Sequence, residues 1–244
     1  MSSRARNNAA TTSADVTSRI EEVATRLFIL HGYNGVSYLD IAKELGTTHS
    51  NIHYYYRTKA LLAEAVLRRV ADATLDAMKG IWTRPGTSLF DKFVGTRDWI
   101  YGQYLLFNPG GKGGRPWGLL SRFTLDADAL TTPMRRVIRS SVDKLEDHIA
   151  TGIGAAVQSG ELVVDAPQAG ITLQIASLMS VTGQMTRHSS GFDRLDALLR
   201  WTYAGIERAY GAAADDQRPW PELPDAYGDA KGLPLQQPSV ATGP

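Results

Sequence analysis

The chain is 244 residues long and 43% hydrophobic, enough for a sizeable core in one or two domains. Its 26 Lys and Arg residues nearly balance 25 Asp and Glu residues, so bulk charge points to no polyanionic partner, and any nucleic-acid contact must rest on local placement. The absence of cysteine excludes disulfides, thiol switches, Cys-based zinc sites and Cys nucleophiles, and fits a reducing, cytoplasmic setting.

Residues 1–14 read as a polar, flexible arm carrying Arg4 and Arg6, without the apolar segment of a signal peptide. From Asp15 a helical period begins. Ile20, Val23, Ala24, Leu27 and Phe28 form one apolar stripe, closed by His31 and Gly32. Ser37 offers an N-cap oxygen with Asp40 three residues on, ahead of Ile41, Ala42 and Leu45.

Residues 37–59, SYLDIAKELGTTHSNIHYYYRTK, carry the sharpest signal. Two helices crossing through a short turn need a small residue where they approach and a residue tolerant of positive φ at the turn. Ala42 and Gly46 meet these demands, and Ile41, Leu45, Ile52 and Tyr55 supply apolar contacts. Rotating from Ile52 puts Tyr55 and Tyr56 near the core and points Ser50, His53 and Tyr54 outward, with His49 and Asn51 on the flanks. No Asp or Glu occurs from Thr47 to Leu62, whereas a merely solvated face usually mixes both signs. Such a face suits a groove of phosphates and base edges. Lys59 follows Thr58 at the next helix start, where a phosphate would meet an ammonium and free backbone N–H groups.

Thr58 caps a long predicted helix over 58–81, ended by Pro85 and Gly86. The helix over 88–107 is apolar nearly all round, with Phe90, Phe93, Tyr101 and Tyr104 on one face and Trp99, Ile100 and Phe107 elsewhere; it belongs in the middle of a bundle. NPGGKGGR at 108–115 reads as a flexible surface loop. A phosphate loop is excluded because Gly113 follows Lys112 and no strand precedes. Helical spacing returns from Met134 to Ala156 and stops at Ser159 and Gly160. The uncharged stretch 166–186 contains Pro167, Gln168, Gln174 and Gln184, so it predicts a buried helix and no membrane span. A last helix covers 192–210.

With no strand-like alternation, the fold class is all-α: a three-helix helix-turn-helix DNA-binding domain over 15–60, then a larger helical ligand-binding and dimerisation domain over 61–211. Six of eleven prolines, at Pro219, Pro221, Pro224, Pro234, Pro238 and Pro244, mark 212–244 as a solvated Pro-rich tail. Thr172, Ala176, Ser180 and Gln184, four apart, permit close approach of another helix. With Leu195, Leu198, Leu199 and Ile206 they predict a four-helix interface in a homodimer, against intrachain packing as the alternative. Trp82, Trp99, Gln103, Tyr104, Phe107, Trp117, Phe123 and His148 are candidate walls for an aromatic or hydrophobic small-molecule effector, each with core packing as its other role. His49 and His53 form a one-turn pair without a third ligand, so no metal, cofactor or catalytic constellation is expected.

The phrases LF-xxx-GY, S-xxx-IA-xxx-G and I-x-YYY-xx-K-xx-L within residues 17–66 resemble the DNA-binding domain of the TetR family of repressors. The resemblance implies a homodimer whose recognition helices enter major grooves of a palindromic double-stranded operator. It implies base contacts from His49, Ser50, Asn51 and His53, and phosphate contacts from Ser37, Tyr38, Tyr54 and Lys59. His53 stands where the family usually has tyrosine, and Thr47 where it usually has valine. Residues 114–162 are similar in rhythm to a subgroup in which some members sense electrophiles through a cysteine after the glycine. Arg115 follows Gly114 here, which excludes thiol sensing. Arg4 and Arg6 suit either an arm entering the adjacent minor groove or a solubilising tail. The alternatives are a ligand-independent DNA-binding or architectural protein and an all-helical enzyme.

Overall fold

The computed structural model describes residues 3–212 and 218–224, with side chains from Ser13 onward. The described residues fold into nine α-helices and no strand; two isolated β-bridges, Lys112 with Gly191 and Leu162 with Gly211, are the extended pairings.

Helix α1 (Ser3–His31) begins inside the segment expected to be a flexible arm. Residues 3–14 hold neither Gly nor Pro and include Ala9 and Ala10, so nothing stops the packed helix from propagating back toward its N-terminus. The side chains of Arg4 and Arg6 lie outside the described residues. Farther on, Ile20, Ala24 and Phe28 are buried as their spacing requires, and Gly32 ends the helix at φ +76°.

Helix α2 (Tyr38–Leu45) starts on a capping box. Ser37 N–H donates to Asp40 Oδ2 at 2.8 Å, and Asp40 N–H donates to Ser37 Oγ at 3.3 Å. Gly46 ends it at φ +63°, and Thr47 N–H returns to Ala42 O at 2.9 Å. Thr48 caps α3 (His49–Tyr55) and Thr58 caps α4 (Lys59–Trp82). Ile41 and Ile52 are fully buried between α1, α2 and α3, which fixes the angle of the recognition helix.

The larger bundle is built on α4, which packs along α7 (Thr132–Gln158). Gly152 permits that approach: a Cβ there would sit 2.7 Å from Trp82 Cε3 and 2.8 Å from the Trp82 carbonyl oxygen. Helix α5 (Leu89–Leu105) is buried on several sides, including Lys92, Thr96, Arg97 and Gln103, as its all-round apolar pattern predicts. Burial pushes the Lys92 ammonium below its ordinary pKa, and its Nζ donates to Thr87 O at 3.0 Å and Thr87 Oγ1 at 2.5 Å. Helices α8 (Gln168–Ser189) and α9 (Asp193–Tyr210) complete the layer.

Three further features depart from the sequence expectation. A short helix, α6 (Leu119–Leu125), lies between α5 and α7; it is too brief to show a period. The 108–115 loop is pinned rather than flexible: Tyr104 Oη–H donates to Gly113 O at 2.7 Å, Asn108 Oδ1 accepts from Arg115 N at 2.9 Å, and Gly113 N–H donates to Ser190 O at 3.0 Å. Within the Pro-rich tail, residues 218–224 dock across α5 and α9. Trp220 Nε1–H donates to Asp196 Oδ1 at 2.9 Å while its ring lies 5.9 Å from Phe90. Arg97, 1% exposed, pairs with Asp98 and donates to Pro221 O at 2.5 Å. A buried guanidinium needs acceptors, and the tail backbone supplies them.

Candidate nucleic-acid interface and adjoining cavity

The outward side of α3 is a polar, aromatic surface beside an open cleft lined by Asn34, Ser37, Tyr38, Asp40, His49, His53, Arg57, Thr58 and Lys59. His49, Ser50 and His53 are exposed. Tyr54 is 81% exposed, unusual for so large a ring and suited to a partner surface. The rings of Tyr38, His49 and His53 form a cluster with centroid separations of 5.6, 6.2 and 6.1 Å, so Tyr38 orients both imidazoles.

Several of the residues expected at the DNA are committed elsewhere. Tyr38 is buried and donates its hydroxyl proton to Tyr56 O at 2.7 Å; burial pushes its pKa up to about 12. Its phenol therefore helps shape the cleft, with its proton engaged within the chain. Lys59 Nζ donates to Tyr33 O at 3.0 Å and Val36 O at 3.1 Å and sits 4.5 Å from the Tyr33 ring centroid. Carbonyls of the turn that follows α1 draw this ammonium inward, and its first task is to fasten the 33–36 turn to α4. Asn51 is half-buried and spends one amide N–H on Thr47 Oγ1 at 2.8 Å. Ser37 Oγ–H donates to Asp40 Oδ2 at 2.6 Å, which holds that carboxyl below the usual carboxylate range. The fold thus brings a carboxylate to the edge of a cleft whose recognition helix carries none. It also brings Arg57, exposed and in the cleft, which the sequence reading missed although it stands in the acid-free run.

Behind this end, residues of α1, α4, α5, α6, α7 and α8 line a partly open cavity of about 250 Å³. Val70, Thr74 and Leu75 of α4, Trp99, Ile100 and Gln103 of α5, Leu119 and Leu120 of α6, and Ile138, Ser141 and Leu145 of α7 are among its walls. No charged side chain is among them. Of the expected wall residues, Trp99, Gln103 and Trp117 line it; Trp82, Tyr104, Phe107, Phe123 and His148 do not. Trp82 Nε1–H is spent on Thr96 Oγ1 at 3.0 Å and its ring packs on Phe93; Tyr104 holds the 108–115 loop and stacks near Phe192. Phe123 faces the other way, against Phe28 and Tyr33 at 5.6 and 6.1 Å. Helix α6 thereby touches both regions. Leu119 and Leu120 meet the cavity, whereas Phe123 and Asp126, whose Oδ2 accepts from Tyr33 N at 2.9 Å, meet the end of α1.

Residues 20–66 match the family described as bacterial regulatory proteins, tetR family. No curated protein matches the chain. Among solved structures, a TetR transcriptional regulator from Chloroflexus aurantiacus J-10-FL is 17% identical, with a TM-score of 0.68 over 83% of this chain and 100% of that one. E. coli NemR in its reduced form is 15% identical, with a TM-score of 0.65 over 81% of this chain and 99% of the other. A TetR regulator from Legionella pneumophila is 21% identical, with a TM-score of 0.62 over 77% and 95%. At these identities the structural likenesses show the fold. The match over the helix-turn-helix, set in this fold, supports DNA-binding regulation of transcription as the class of activity. Among the described residues, no helix is long and apolar enough to cross a membrane, and no group of three His, Asp or Glu side chains is arranged to hold a metal.

Proposed function

We propose that the chain is a repressor that binds a roughly palindromic operator as a homodimer and is released by a small hydrophobic effector. In this reading residues 15–60 read DNA, and 61–211 sense the ligand and dimerise. The observation that carries it is the rigidly held, acid-free outer face of α3, with His49, Ser50, His53 and Tyr54 exposed beside Arg57. Base edges would be met by His49, Ser50, Asn51 and His53, and phosphates by Tyr54, Arg57 and the helix starts at Ser37 and Thr58.

Dimerisation is supported by an outward face different from the expected one. Thr172 and Ala176 are buried within the chain, as are Leu195, Leu199 and Ile206, whereas Ser180 is exposed and Gln184 and Leu198 are half-buried. On the adjoining side, α8 exposes Leu173, Ser177 and Val181, and α9 exposes Trp201. Leu173 and Trp201, 59% and 61% exposed, are apolar groups that a second copy would cover. The cavity supports ligand sensing over a ligand-independent architectural role, because a filled core would serve the latter. Ligand pressing on α4 and α6 would shift the end of α1 and spoil the spacing of two recognition helices about one DNA turn apart. The ligand must favour the non-binding conformer, typically by about 1–3 kcal/mol.

Selection of bound genomic fragments by the full chain tests this. Enrichment of a palindrome whose binding weakens steeply with salt is expected. Uniform, weak binding to all fragments would sink the reading.

A further inference from the structure

The cavity holds a chemical specification as well as space. Gln103 is 2% exposed, and its Oε1 has no hydrogen-bond partner; Trp99 Nε1 is likewise buried and unpartnered. Native interiors pair nearly all such groups, so an orphan acceptor and an orphan donor beside one cavity mark positions that another molecule would satisfy. The two residues stand four apart on α5 and both line the cavity. Side chains at that spacing share one helix face, with Cβ atoms about 5–6 Å apart. A hydroxyl is the one small group able to serve both, accepting from the indole N–H and donating to the amide carbonyl.

Charge and size narrow the class further. An ion would be stripped of water among Val70, Leu75, Ile138 and Leu145, with no countercharge on the walls. The walls favour flat apolar rings, with Trp99 and Trp117 available to stack. About 250 Å³ exceeds the roughly 150 Å³ of an engineered cavity known to hold benzene.

We propose that the cavity takes a neutral one- or two-ring aromatic alcohol, whose hydroxyl accepts a hydrogen bond from Trp99 Nε1–H and donates one to Gln103 Oε1. This inference rests on the sensing function proposed above and specifies its ligand.

Three probes of similar shape test it on the full chain by calorimetric titration: β-naphthol, naphthalene and β-naphthoate. β-Naphthol is expected to bind one-to-one, roughly tenfold or more tighter than naphthalene, because only it satisfies both orphans. β-Naphthoate, ionised at neutral pH, is expected not to bind. Gln103→Leu should weaken β-naphthol roughly tenfold and leave naphthalene unchanged. Trp99→Phe, which keeps a ring and removes the donor, should act the same way, with thermal melts confirming that both variants fold. Equal affinity for β-naphthol and naphthalene, or tight binding of β-naphthoate, would overturn the assigned class while leaving the cavity a binding site. No binding by any of the three up to their solubility limits would overturn both the class and the sensing function. β-Naphthol binding that leaves operator affinity unchanged would overturn the sensing function alone.

Discussion

At the DNA-binding end, Ile41 and Ile52 are fully buried, each short helix has its own cap, and Lys59 fastens the turn after α1; between α5, α6 and α7 the same chain leaves a cavity and two unpaired polar groups. One end is built to present a fixed surface. The other holds unfilled volume, the room that the proposed sensing function needs. The contrast teaches where stability has been spent: a recognition helix must keep its angle, whereas a sensor must keep unfilled volume at some cost in packing.

The comparison can be broken most severely inside the bundle, where the packing beside the cavity is tight. Gly152→Ala drives a Cβ into Trp82, both ring and backbone carbonyl. Overpacking of this kind should cost about 1–3 kcal/mol, read as a lowered midpoint in thermal or denaturant unfolding. Gly154→Ala, two residues on, meets only Gln168 Oε1 at 3.7 Å. It should be neutral, or stabilise by up to about 1 kcal/mol through helix propensity.

Next in size is the docked tail. Deleting residues 218–244 strips Arg97 of its carbonyl partners at Pro221 and Glu222 and uncovers Phe90. Leaving a buried charged group short of acceptors should cost about 2 kcal/mol in unfolding experiments. Operator affinity should be unchanged.

At the DNA-binding end, Arg57→Ala should weaken binding to all sequences by about tenfold and reduce the salt slope by about one, without lowering Tm. Lys59→Ala should instead lower Tm, since two carbonyls lose their donor, and weaken binding through the displaced turn. A smaller effect comes from the cavity. Ser141→Leu adds apolar volume there and should stabilise by about 0.5–1 kcal/mol while abolishing the ligand response.

The smallest is acid sensitivity of α2. Asp40 titrates below its ordinary value because Ser37 hydrogen-bonds its carboxylate. A depressed folded pKa contributes stability that is present above the unfolded value, near 3.9, and is lost as pH falls through the folded one. Ser37→Ala, which keeps the backbone N–H bond to Asp40, should reduce this acid-side loss, read as a flatter fall of Tm below about pH 4.

What the sequence made legible divides along the same line. Caps are local, so Ser37 with Asp40, Thr58 and the glycine ends at Gly32, Gly46 and Gly160 could be read from neighbouring residues. The outward turn of His53 and Tyr54 followed from helical geometry alone. Long-range pairing was not legible. Nothing near Arg97 in the chain announces that the Pro221 carbonyl will accept a hydrogen bond from it, and nothing near Lys59 announces the carbonyl of Tyr33. Which aromatics surround empty space and which fill it is also non-local: Phe123 and Trp117 sit on one short stretch, yet Phe123 packs on α1 and Trp117 lines the cavity. Which side of α8 the chain itself buries was not legible either, because the helix carries no charge before Arg187 and hydrophobic spacing could not choose between its sides.

The central claim is that two recognition helices, fixed in one dimer, read two half-sites together. Its most direct test is affinity for the selected operator before and after about five base pairs, half a helical turn, are inserted between the half-sites. A rigid dimer cannot follow a half-site rotated to the far side of the duplex, so the account predicts that binding falls to the level of a single half-site. Undiminished affinity for the respaced operator would contradict it.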